Sequence, residues 1–332
     1  MQTKSNYLKY AVIGLVVIVF ITVVLMLLQA WEKGWGIFGG PGTDDGVVTY
    51  QGQEYVRKEG LETFLVLGLD KYEGEDASDS HGTGVQADFL MLFVFDSNTK
   101  QCTAIHINRD TMTKVNKLSV GGTSVVETYT KQIALAYNYV NDTNDKIRCR
   151  NTKDSVEYLL KNIHVDHYLS LTMDFVPAMA DLVGGVTVEV LDDFTGIDDT
   201  LVKGQTVTLT GDRALTYVRT RHGLEDSTNS TRMARQQQFI DALRDKVVAL
   251  AEAEDTFLLE LLQTMDKYVA YDSSNEKMQQ FAEKFDEYEF LGTREMEGEN
   301  KMGAEFIEFY PDEDSVWEIV IDLFYTPKVG EK

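Results

Sequence analysis

Five of the chain's eleven arginines fall between Arg213 and Arg235, in a protein whose formal net charge is -23. That stretch gathers positive charge where the remainder is acidic, which marks it as a site for an anion. Arg219 and Arg221 stand two apart, and in an extended segment their side chains leave the same face. Arg232, Arg235 and Gln236 follow at helical spacings and are expected to share one side of a helix. Four guanidinium groups would thereby converge on one space. Guanidinium is planar, permanently charged and forked, and it suits bidentate hydrogen bonding to phosphate better than lysine's point charge does. A diphosphate is the expected guest. The competing reading pairs these arginines with Asp212, Glu225 and Asp226 on a solvated face.

Carboxylates stand where apolar runs begin and end: Asp70 after residues 63–69, Asp88 at the start of 88–95, and Arg109-Asp110 after 102–108. Strand ends that open into loops are where α/β sheets hold ligands. Brought together, Asp70 and Asp88 would make an oxygen site for Mg²⁺, which takes few protein ligands besides phosphate oxygens and water. Loop capping is the ordinary alternative for such residues. Arg109 and Asp110 read either as a local ion pair or as a catalytic couple. His164 and His167 lack the i, i+4 helical pair of a zinc protease and read as a helix exit into a strand.

The elements that must position these groups follow an α/β pattern. Residues 63–69, 88–95 and 102–108 read as strands, the first two apolar enough to be covered on both faces. Helices are expected at 132–140 and 155–163, then a strand at 168–172, a helix at 174–183, the Gly184-Gly185 break and a strand at 186–191. A long helix is expected at 232–253, with further helices at 257–269 and 278–288, strands at 289–292 and 304–309, and a helix at 315–324. The alternation predicts a single α/β/α domain around a mixed central sheet.

Ahead of that domain, residues 10–28 are uncharged and almost wholly apolar. At about 1.5 Å per residue they are long enough to span a hydrocarbon core of roughly 30 Å. Lys4 and Lys9 precede the run and no acidic residue does, so a cytoplasmic N-terminus (1–9), one transmembrane anchor (10–30) and an extracytoplasmic remainder are expected. No small-x-small cleavage site closes the run, which argues against a signal peptide. Residues 31–55 read as a linker. Residues 56–332 read as one large domain, with a C-terminal extension from about 255. The net charge argues against nucleic acid or an anionic lipid surface as the bulk partner. Cys102 and Cys149 are the only cysteines, and an outside compartment permits a disulfide without requiring one.

In order along the chain, Leu65-Val-Leu-Gly-Leu-Asp70, Ala87-Asp88-Phe-Leu-Met-Leu, Ile107-Asn-Arg109-Asp110-Thr111, Ala134-Leu-Ala-Tyr137, Asp181-Leu-Val-Gly-Gly-Val-Thr-Val188, the run from Leu209 to His222 and Arg232-Met-Ala-Arg235-Gln236 resemble the LytR-CpsA-Psr family of membrane-anchored cell-wall enzymes. The resemblance covers roughly residues 60 to 250. It implies transfer of a glycopolymer from a polyprenyl diphosphate carrier to a sugar hydroxyl of peptidoglycan, with release of polyprenyl phosphate and Mg²⁺ at the diphosphate. It also implies Asp70 and Asp88 as metal ligands, and Arg109, Arg219, Arg221, Arg232, Arg235 and Gln236 around the phosphates. Arg109, Asp110, Arg219 and Arg221 become the catalytic candidates, Asp110 either orienting Arg109 or assisting deprotonation of the acceptor.

Two departures stand out. Gln86 occupies a position where the family commonly has arginine, after a long acidic stretch at 71–85, and Asn229 stands where the family commonly has an acidic residue. They keep open a second function of another class, a membrane-tethered binder or sensor of polyprenyl phosphate that does not turn it over.

Overall fold

The computed structural model describes residues 46–70, 85–140, 144–221, 223–225, 228–254, 256–257, 260–261, 264, 268–271, 288–304 and 306–328. The expected anchor, residues 31–45 of the expected linker, the 71–84 stretch and the expected helix up to residue 287 lie outside the described residues. Among the described residues, no helix is long and apolar enough to cross a membrane.

In chain order the fold begins with strands β1 (Val47–Tyr50) and β2 (Gln53–Arg57), β3 (Leu61–Leu69), β4 (Ala87–Asp96) and β5 (Gln101–Ile107). A hairpin of β6 (Met112–Leu118) and β7 (Val125–Gln132) runs into a short 3-10 helix, Ile133–Tyr137. Helix α1 (Asp145–Leu159), β8 (His167–Thr172), α2 (Phe175–Leu182), β9 (Val186–Glu189), β10 (Thr206–Leu209), α3 (Gly211–Arg219) and α4 (Asn229–Ala253) follow. The chain closes with β11 (Val269–Tyr271), β12 (Glu289–Glu295), β13 (Gly298–Met302), β14 (Ile307–Pro311), α5 (Glu313–Phe324) and β15 (Tyr325–Pro327).

The central sheet has the order β11-β8-β3-β4-β5-β12. It is mixed: β3 pairs antiparallel with β4 and parallel with β8, while β5 pairs antiparallel with β4 and parallel with β12. The unbroken apolar text of β3 and β4 has a simple cause, since both faces of these strands are buried. Phe64, Val66, Met91, Phe93 and Phe95 enter one core with α2, α3 and α4. Leu65, Leu67, Leu90, Leu92 and Val94 enter the other with α1 and α5. Alternate side chains of a strand leave opposite faces, so both sets must be apolar when helices cover both sides.

The structure corrects several expected elements: the helix expected at 132–140 is a 3-10 turn of Ile133–Tyr137 after a strand that ends at Gln132, the helix expected at 155–163 is Asp145–Leu159, and the strand expected at 304–309 is Ile307–Pro311. Residues 47–57, largely assigned to a linker, form β1 and β2, and β2 pairs with β15 from the other end of the chain. The strand near 186 belongs to a separate two-stranded ribbon with β10, outside the central sheet. The segment 211–219 is a helix rather than an extended run; it starts at Gly211, whose φ of +45° disfavours a side chain and whose N–H donates to Asp181 Oδ1 at 2.8 Å. The two cysteines are buried and are not joined to each other. Cys102 sits in the core on one sheet face and Cys149 in the core on the other, so the sheet separates them. Burial pushes the Cys102 thiol well above its ordinary range.

Candidate functional site

The site forms at the end of β3 and the start of β4, beside α3 and α4. A register irregularity opposite Gly68 and Leu69 pairs Gly68 with Phe89 and Leu69 with Ala87, leaving Asp88 as an extra residue in β4. Such a bulge re-aims side chains. Strict alternation would put Asp88 on the opposite side from Phe89; instead both line the same cleft. Gly68 allows the approach: a Cβ there would stand 2.8 Å from Phe89 Cβ.

Asp88 is almost fully buried, with Arg109 Nη1 2.6 Å from Oδ1 and Arg232 Nη1 donating to Oδ2 at 3.0 Å. Arg232 Nη2 also donates to the Asp88 carbonyl at 3.0 Å. Burial alone would raise the Asp88 pKa, but Arg109 and Arg232 outweigh it and hold the carboxyl below the usual carboxylate range. Burial, with Arg109 and Arg221 nearby, lowers Arg232 to about 10 against the opposing pull of Asp88.

Arg219 and Arg221 reach their partners by a different route from the extended segment expected. Arg219 is the last residue of α3, and Thr220 turns the backbone to φ -59°, ψ 132°, sending Arg221 on into a loop. Arg219 Nη2 then meets Asp70 Oδ1 at 2.6 Å, and Arg221 Nη1 donates to Asp110 Oδ2 at 2.7 Å. These long-range carboxylates, rather than Asp212 or Glu225, are the arginines' partners. Asp226 lies outside the described residues.

Asp110 is 1 % exposed and held from several sides. Gln132 Nε2 donates to its Oδ1 at 3.2 Å and to the Ile307 carbonyl at 2.7 Å, its own N–H donates to Asn108 Oδ1 at 2.9 Å, and its carbonyl accepts from the Phe309 N–H at 2.9 Å. Asn229 Nδ2 donates to the same Asn108 oxygen at 2.8 Å. Asn229 therefore ties the start of α4 to the Arg109-Asp110 turn. Gln86 accepts a short hydrogen bond from Arg109 Nη2, so it holds an arginine where the family commonly supplies one.

Arg235 is not part of this group. It is fully buried against the exit of α3, with Nη1 donating to the Tyr217 carbonyl at 2.8 Å, Nη2 to the Thr220 carbonyl, and Nε 2.9 Å from Asp192 Oδ2. Its guanidinium lies over the Phe194 ring at 5.2 Å. It fastens the α3 exit to α4. Gln236, the next residue, does line the cleft.

That cleft, about 110 Å³, has a polar end at Asp88, Arg219, Arg232 and Gln236 and apolar walls that include Phe89, Leu171, Met173, Phe175, Val176, Val218, Phe239, Ile240 and Leu243. None of the apolar wall was distinguishable in the sequence from ordinary core. Residues 171–176 and 239–243 come from three elements, and only the fold leaves a gap between them. Four arginines (109, 219, 221, 232) stand against three carboxylates (70, 88, 110), a balance of 4 - 3 = +1. Three buried polar atoms of this region, Arg109 Nε, Arg232 Nε and Gln236 Oε1, have no hydrogen-bond partner among the described residues. A buried polar group left so costs about 1–3 kcal/mol, and a polar ligand that reaches it recovers that energy.

Residues 44–322 match the LytR_cpsA_psr family. A polyisoprenyl-teichoic acid–peptidoglycan teichoic acid transferase TagU from Halalkalibacterium halodurans is 30 % identical over 183 residues, 54 % of this chain and 51 % of that one. The TagU of Enterococcus faecalis is 25 % identical over 252 residues, 75 % of this chain and 74 % of its own. The chain spans about half the length of several curated relatives it matches. Bacillus subtilis TagT shares the fold with a TM-score of 0.53 and 20 % identity, over 80 % of this chain and 90 % of that chain.

Proposed function

Because the chain belongs to the LytR_cpsA_psr family, we propose that it is a membrane-anchored, extracytoplasmic transferase that moves a glycopolymer from a polyprenyl diphosphate carrier to peptidoglycan and releases polyprenyl phosphate. One observation carries this reading: an apolar cleft whose polar end holds Arg219, Arg232 and Gln236 beside Asp88. A lipid diphosphate has the same two-part chemistry, an apolar tail and a doubly charged head.

The acceptor hydroxyl oxygen attacks the phosphorus that carries the glycan, the bond from that phosphorus to the polyprenyl phosphate oxygen breaks, negative charge builds on the leaving phosphate, and the hydroxyl proton passes to that phosphate or to solvent. Arg109, Arg219, Arg221 and Arg232 stand ready to stabilise it, each already oriented by a carboxylate. Asp110 is suited to hold Arg221 rather than to act as general base, because it is buried and both its oxygens are engaged. Asp70 and Asp88 are the pair that would hold Mg²⁺: hard oxygen donors at adjacent strand ends, with the buried Asp88 Oδ1 reached by an ion pair but by no hydrogen bond. When bound, Mg²⁺ would neutralise phosphate oxygens and polarise the reacting phosphorus.

The test is transfer from a polyprenyl diphosphate-linked glycan to peptidoglycan by the purified chain with Mg²⁺. Transfer in the unmodified protein and its loss in Arg219→Ala/Arg221→Ala are expected. A folded Arg219→Ala protein that transfers at the unmodified rate would sink the proposal. The second reading, lipid-carrier binding without turnover, is favoured by Gln86, which leaves the cluster one cation short of the family pattern and engages Arg109. Native mass spectrometry finding bound polyprenyl phosphate in a protein inactive on every matched acceptor would select it.

A further inference from the structure

A second concave surface, about 570 Å³, lies between the β6–β7 hairpin and residues 138–140, lined by Lys117, Leu118, Tyr129, Lys131, Tyr139 and Val140 among others. The hairpin register sets Thr113 opposite Lys131, Val115 opposite Tyr129 and Lys117 opposite Glu127. Residues two apart share a strand face, so Lys117, Tyr129 and Lys131 stand on one side of the hairpin. Tyr129 and Tyr139 meet edge to face with ring centroids 5.8 Å apart.

Two exposed lysines give this surface a positive character. Carboxylates outnumber cations in the chain, 54 to 31, and Lys153, Lys161, Lys301 and Lys328 all sit in ion pairs with glutamates. Lys117 and Lys131 are exposed and have no such partner among the described residues. The carboxylate facing them, Glu127, accepts a short hydrogen bond from the Tyr129 hydroxyl. Two uncommitted cations beside two tyrosine rings suit a ligand with both carboxylates and faces of C–H bonds. The groove also adjoins the site. Gln132, the last residue of β7, donates to Asp110, and at about 3.3 Å per residue Tyr129 stands roughly 10 Å back along the strand.

We propose that this groove binds the acceptor polymer: a saccharide strand bearing carboxylates, its sugar rings against Tyr129 and Tyr139 and its carboxylates at Lys117 and Lys131. That such a strand is the acceptor rests on the transferase reading above; that the groove binds it does not. A polymer so held would lie along the strand that ends at Gln132, the residue that donates to Asp110.

The experiment measures binding of a labelled soluble tetrasaccharide of alternating N-acetylglucosamine and peptide-bearing N-acetylmuramic acid to the full chain in mild detergent, with neutral chitotetraose as the second probe. Lys117→Glu/Lys131→Glu should weaken the carboxylated probe about tenfold or more and leave chitotetraose unchanged, as expected for two solvent-screened cation contacts. Tyr129→Ala should weaken both probes. Arg219→Ala/Arg221→Ala should still bind both, so failure of the transfer reading shows as lost or absent turnover with groove binding intact. Unaltered binding of the carboxylated probe by Lys117→Glu/Lys131→Glu would overturn the groove and leave the cleft reading untouched. Lys117 and Lys131 are exposed, so these variants are expected to fold, and an unchanged melting temperature checks it.

Discussion

Arg232 and Arg235 lie one turn apart on α4 and are both buried, 3 % and 0 % exposed, yet they serve different regions of the molecule. Arg232 points to the end of the cleft and shares Asp88 with Arg109; the buried Nε of both arginines lacks a hydrogen bond, but that of Arg235 stands 2.9 Å from Asp192 Oδ2 and no described carboxylate is so placed at that of Arg232. Arg235 points behind α3, where two backbone carbonyls, Asp192 and an aromatic ring take up its guanidinium. The difference teaches that a buried cation is a ligand candidate only when its surroundings leave part of it unspent. Each nitrogen of the Arg235 guanidinium lies against a carbonyl or carboxylate of its own chain, whereas the Arg232 region carries more positive charge than its carboxylates neutralise.

Arg235→Ala probes the region behind α3 and should have the largest effect. It strands Asp192 and two carbonyls and should destabilise the fold by roughly 3–5 kcal/mol, read by denaturant unfolding. A loss of transfer without a loss of stability would erase the distinction between the two arginines. On the other side, Arg219→Ala removes a partly exposed cation of the cleft. Transfer should fall by about 10²–10³-fold, while the unfolding midpoint barely moves.

Gln132→Ala lies between these extremes, because it removes a donor from Asp110 and from the Ile307 carbonyl at once. About tenfold in transfer and about 1–2 kcal/mol in stability are expected. Gln132→Glu, similar in shape but without the donor, should fail to restore either.

The smallest effect concerns a carboxylate treated unlike Asp88. Asp154 on α1 is pushed up to about 6 by burial, with Lys153 opposing and Glu157 adding. A folded-state pKa raised above the unfolded value means the folded protein holds the proton longer. The penalty is therefore absent in acid and grows as pH rises through about 6. Asp154→Asn should stabilise the chain by about 1–2 kcal/mol at pH 7 and by little at pH 4, measured by thermal unfolding at both. Equal effects at the two pH values would remove the contrast with Asp88, whose burial two arginines offset.

Much of this site was legible before the fold was known. Asp70, Asp88, Arg109, Asp110, Arg219, Arg221 and Arg232 all come together in the structure, and their types and their places at strand and helix ends were the signal. Arg235 was misplaced because helical spacing says which residues share a side of a helix only to within about a quarter turn, and a small rotation carries one of them from the cleft to the core behind α3. The hairpin β6–β7 escaped notice because its polar text, Met-Thr-Lys-Val-Asn-Lys-Leu and Val-Val-Glu-Thr-Tyr-Thr-Lys-Gln, lacks the clean alternation of a half-buried strand. Gln132 carried no signal at all, since a lone glutamine at a strand end is ordinary.

The sequence by itself determined the sheet, through continuous apolar runs that only two-sided burial explains, and the chemical type of the site, through arginines concentrated in an acidic chain. Tertiary structure alone decided which arginine meets which carboxylate, that a bulge turns Asp88 into the cleft, and that the apolar walls leave room between three elements. The reason is range. Strand and helix patterns are local properties of the chain, whereas the Arg219–Asp70, Arg221–Asp110 and Arg232–Asp88 contacts join residues 149, 111 and 144 positions apart, and no local pattern specifies those pairings.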